Sequence, residues 1–110
     1  MIGDWQVQEI LKQYNKHGWN LRRVLLSVQT RENLPAALFG QAEIVSSRLD
    51  AAWFSRRSLE GRETWELRHL STVPFALVEV FEDDDDEEVR EETRSEMETQ
   101  MLKQASKSGS

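Results

Sequence analysis

Cysteine is missing from this chain, so no disulfide can staple it and no thiolate can act as nucleophile or metal ligand. That absence fits a reducing compartment, and a cytoplasmic location is expected. The opening MIGDWQVQEI has neither a basic n-region nor an apolar h-region, so no secretory signal is expected there. No run approaches the ~20 apolar residues of a membrane span. Glycines are few and scattered, at 3, 18, 40, 61 and 109, and form neither G-x-G-x-x-G nor a Walker loop. Histidine occurs only at 17 and 69, and there is no G-x-S-x-G or S-x-x-K around which a nucleophile could be organised. Lysine is absent between positions 17 and 102, which removes the usual partner of a nuclease metal site. No cofactor and no metal site are therefore expected. The run Asp83 to Asp86 lacks the ligand stagger and turn glycine of a calcium loop.

Charge is present but unevenly placed. Residues 1–81 carry a net +1 and residues 82–110 a net −7, together the chain's −6. A near-neutral body has no footprint for duplex nucleic acid, which calls for a basic excess. An acidic end points instead to a partner with a basic surface.

The most legible stretch is 51–82. Three runs of strand character, Ala51 to Ser58, Glu63 to Leu70 and Phe75 to Glu82, are separated by short turn signals at Leu59-Glu60-Gly61-Arg62 and Ser71-Thr72-Val73-Pro74. Such spacing is the signature of antiparallel hairpins. Alternation places Trp65, Leu67 and His69 on one side of the middle run, with Thr64, Glu66 and Arg68 on the other. Before the meander, Val7, Ile10, Leu11 and Tyr14 fall at i, i+3, i+4 and i+7, predicting a helix over 4–17 capped by Asp4 and stopped by Gly18. The apolar run 22–28 reads as a strand and 31–40 as a short helix around Pro35. Residues 42–47 read as a further short strand, either separate from the next run or continuous with it. After the meander, Asp85 or Asp86 can cap a final helix whose apolar stripe is Val89, Thr93, Met97 and Met101.

The expected fold is therefore α+β, one two-layer domain. An antiparallel sheet, the three-stranded meander plus one or two further strands, packs under the first and second helices. In domain terms, 1–82 form the core, 83–105 a polar acidic helix at its periphery, and 106–110 a disordered tail. With the last helix peripheral, removal of 84–110 should leave a folded domain.

The leading expectation for function is a small non-catalytic protein–protein interaction domain, with no membrane partner. One alternative is a cation-dependent hydrolase or nuclease built on Glu63, Glu66 and His69. Another is a single-strand nucleic-acid or phosphate-ligand binder using Arg56, Arg57, Arg62 and Arg68. Trp53 and Phe54, consecutive on a strand, must face opposite sides; one belongs to the core, and the other marks a binding face if left uncovered.

Overall fold

The structure, a computed structural model, describes residues 2–108. Its first helix, α1 (Asp4–Lys16), takes Gly3 rather than Asp4 as its cap: the Gly3 N–H donates to Gln6 Oε1 at 2.6 Å. Asp4 instead occupies the first turn, where a carboxylate complements the helix dipole. Gly18, at φ 83°, ends the helix in the left-handed conformation that glycine adopts without strain.

Strand β1 (Asn20–Leu26) ends where Ser27 turns the chain into α2 (Val28–Asn33). The Ser27 hydroxyl accepts from the Thr30 N–H at 3.3 Å, capping that helix. Asp50 reinforces the corner, its carboxylate accepting from the Ser27 N–H at 2.7 Å and the Thr30 hydroxyl at 2.9 Å. The single helix expected over 31–40 is thus two pieces, α2 and a 3₁₀ turn at Ala36–Phe39. Pro35 explains the break. Its ring disfavours helical backbone at the preceding residue, and Leu34 is extended at φ −117°, ψ 133°.

The remaining elements are β2 (Glu43–Ser46), β3 (Ala51–Leu59), β4 (Arg62–His69), β5 (Ala76–Glu82) and α3 (Glu87–Ser108). β2 and β3 are separate strands. The tail expected from 106 onward contributes residues 106–108 to the end of α3, while residues 109 and 110 lie outside the described residues.

The five strands form one sheet in the order β2-β1-β3-β4-β5. β2 runs parallel to β1, with α2 and the 3₁₀ turn in the crossover, and every other pairing is antiparallel. This is an α+β domain, and the meander stands as the sequence predicts.

Two apolar clusters lie on opposite faces of the sheet. On one, Val24, Leu26, Ala52 and Phe54 pack under Val7 of α1 and under Leu34 and Phe39. On the other, Leu25, Trp53, Trp65, Leu67 and Phe81 pack under Met97 and Met101 of α3. The acidic helix is therefore not peripheral but the cover of the second face. Burying each such side chain contributes about 1.5–3 kcal/mol, enough to hold a helix whose own propensity would not. Among the described residues no helix is long and apolar enough to cross a membrane.

Candidate functional site

Neither consecutive aromatic is left uncovered. Trp53 is 0% exposed beneath α3, donating its indole N–H to Glu98 Oε2 at 2.8 Å and meeting Trp65 edge-on at 6.1 Å. Phe54, 1% exposed, stacks on Tyr14 of α1 with ring centroids 4.0 Å apart. Both are core, so neither marks a binding face by being exposed.

The four arginines proposed as a patch are dispersed. Arg56 donates to the His17 carbonyl at 3.1 Å and lies 4.5 Å from the Trp19 ring, closing the end of α1. Arg57 pairs with Asp83 at 3.0 Å and Arg62 with Glu82 at 3.1 Å, while Arg68 bonds the His69 carbonyl. Register places Arg56, Arg62 and Arg68 on the α1 face and Arg57 on the α3 face. Arg62 and Arg68 stand about 20 Å apart along β4 at the usual strand rise.

The hydrolase set does not converge either. Glu66 accepts from the Tyr14 hydroxyl on the α1 face, whereas Glu63 accepts from the Trp65 indole at 2.6 Å on the other. His69 shares a face with Glu63, but six residues of strand put it about 20 Å away. Among the described residues no three His, Cys, Asp or Glu side chains are grouped to hold a metal ion.

His69 lies in a different setting, a cleft of about 500 Å³ between the 70–75 turn and the end of α3. Its Nδ1 is 2.9 Å from Ser71 Oγ, and that hydroxyl donates to the Val73 carbonyl at 2.9 Å. The serine proton is thus committed to a carbonyl, so the imidazole N–H donates to the serine rather than activating it. Burial pushes the His69 pKa down. The pair is a turn brace.

What the fold does assemble is a ladder of guanidiniums and rings. Arg94 of α3 is 3% exposed, its guanidinium carbon 4.5 Å from the Trp65 ring and 5.9 Å from Phe81. Arg22 lies 5.3 Å from Trp65, and Arg90 lies 5.7 Å from Phe81. Arg94 bonds Glu87 and, at 2.8 Å, Glu91, while Arg23 bonds Glu43 at 2.9 Å and Glu91 at 3.0 Å. Those bonds hold the Glu91 carboxyl below the usual carboxylate range, the Arg23 hydrogen bond first among them.

Simple alternation would send Arg22 and Arg23 to opposite faces. The register with β3 slips between Leu21 and Arg23, and that β-bulge turns both toward α3. The sequence carries the i, i+4 spacing of Arg90 and Arg94, but nothing in it discloses the bulge.

One part of the sheet stays open. α1 lies over β1 and β3 and reaches β4 through Tyr14, and no β5 residue joins the core cluster beneath it. On that face of β5, Val78 and Val80 are 53% and 47% exposed. β5 is also an edge strand, with β4 as its sole strand partner among the described residues.

Comparison adds no relative. The chain matches no protein-family model, no curated protein and no solved structure.

Proposed function

We propose that this chain is a non-catalytic protein-interaction domain that receives an extended, basic segment of a partner protein along β5. The observation that carries this reading is the pair Val78 and Val80, half-exposed on one face of an edge strand whose outer backbone groups are taken only at Glu82, by Asp85 and Arg90, among the described residues. A free edge offers backbone donors and acceptors to an incoming strand, and alternate side chains of that strand would fall beside the valines. The surroundings favour a basic partner. Glu82 and Asp83 are neutralised by Arg62 and Arg57, but among the described residues Glu79, Asp84 and Glu88 have no basic partner. Unpaired carboxylates along and just beyond an edge strand, Glu79 on its α3 face and Asp84 and Glu88 past its end, favour lysine or arginine in the segment that joins it.

A fluorescein-labelled peptide of alternating valine and lysine is a direct probe, read by anisotropy. It should bind saturably, weaken as salt rises, and lose most of its affinity against Val78→Asp and Glu79→Lys. A valine–glutamate peptide of equal length should not bind. No saturable binding of the basic peptide, or binding unaltered in both variants, would reject the proposal.

A further inference from the structure

The ladder on the α3 face lines a polar cleft of about 270 Å³ with four guanidiniums and three carboxylates, and two of those guanidiniums make no bond to a carboxylate. Glu43 is bonded by Arg23, Glu87 by Arg94, and Glu63 by the Trp65 indole. Among the described residues no carboxylate reaches Arg22, and the Nε of Arg90 is buried without a hydrogen-bond partner. A buried N–H of a charged group without an acceptor calls for one, because native structures satisfy nearly all such groups.

We propose that this cleft binds a small oxyanion, a carboxylate or phosphate group, held between the guanidiniums of Arg22 and Arg90. The planar fork of the Arg22 guanidinium can meet two oxygens of such a group at once, and Arg90, whose Nη2 donates to the Glu82 carbonyl, adds its Nε. Trp65 and Phe81 lie beside the two guanidiniums, so the donors are positioned before the anion arrives. The bulge that aims Arg22 into the α3 face is the kind of local departure that re-aims a side chain at a site. The volume admits a single small anionic group rather than a nucleotide or cofactor. This site is separate from the β5 edge and does not depend on what β5 binds.

The test is a ¹⁵N–¹H titration of the whole chain with sodium phosphate and with sodium acetate, against sodium chloride at matched ionic strength, following the Trp65 indole N–H. Phosphate or acetate should shift that resonance saturably while chloride does not. Tighter phosphate binding would identify a phosphoryl group as the natural ligand, and tighter acetate binding a carboxylate. Arg22→Ala, at an exposed position, should weaken the saturating anion at least tenfold, whereas Arg48→Ala should leave it unaltered. Equal shifts with chloride, no saturation by either anion, or parental titration of Arg22→Ala would overturn the assignment.

Discussion

Glu98 shows how one side chain carries opposing demands. Burial raises its carboxyl above the ordinary carboxylate range, and the hydrogen bond from the Trp53 indole only partly offsets this. The folded state therefore holds the proton more tightly than the unfolded chain, so this group's contribution to stability falls as pH rises from the ordinary range through the raised value. Glu98→Gln keeps an acceptor for Trp53 and removes the buried charge. It should raise the denaturation midpoint at pH 7 and leave it nearly unchanged at pH 4. His69 has the opposite dependence. Burial lowers its pKa, so the unfolded chain binds the proton first, and stability should decline as pH falls below about 6.5, the ordinary imidazole value. Urea denaturation of His69→Gln across pH 5–8 should lack that component of the slope. Arg94 is the third such residue, a nearly buried cation between two rings. Arg94→Ala leaves Glu87 without its partner, leaves Glu91 to Arg23 alone and uncovers the Trp65 and Phe81 rings, and should cost about 1–3 kcal/mol. Arg94→Met, which keeps the packing, should cost less.

At the scale of the element, α3 is where the sequence was hardest to read. The meander was legible because strand alternation and turn residues announce themselves locally. Each expected strand there survives within a residue or two. The last helix does not announce itself in that way. Its apparent stripe of Val89, Thr93, Met97 and Met101 is only half right, since Val89 is 56% exposed and the buried face is completed by Arg94. A guanidinium counts as polar in any pattern, yet stacked on an indole it packs as core. No local signal states that a Trp65 face lies across from it. The parallel pairing of β2 and the Arg22 bulge are likewise settled by tertiary register rather than by local sequence. Because α3 covers Trp53, Trp65, Leu67 and Phe81, deletion of 84–110 should give an aggregating or unfolded product by circular dichroism, not a folded core. Met101→Ala, at a fully buried position, should cost about 2–5 kcal/mol in chemical denaturation.

For the whole molecule, the asymmetry of cover matters most. α3 closes one face, α1 covers the other from β1 to β4 but leaves β5 bare, and the sheet ends in β5 with its outer edge unpaired as far as Val80 among the described residues. The candidate residues that sequence alone singled out, Trp53 and Phe54 above all, were consumed by the core, because a consecutive pair on a central strand meets a helix on each side. The open surface that remains is made of valines whose exposure no composition or period reveals. The measurement that bears most directly on the interaction reading is amide hydrogen exchange of β5 with and without the valine–lysine peptide. The amides of residues 76–80 that are not bonded to β4 should exchange quickly in the free protein and become protected when the peptide is bound, whereas the Glu82 amide is already held by Asp85. Protection confined to other strands or to α3, or none at all at saturating peptide, would contradict a partner strand at this edge.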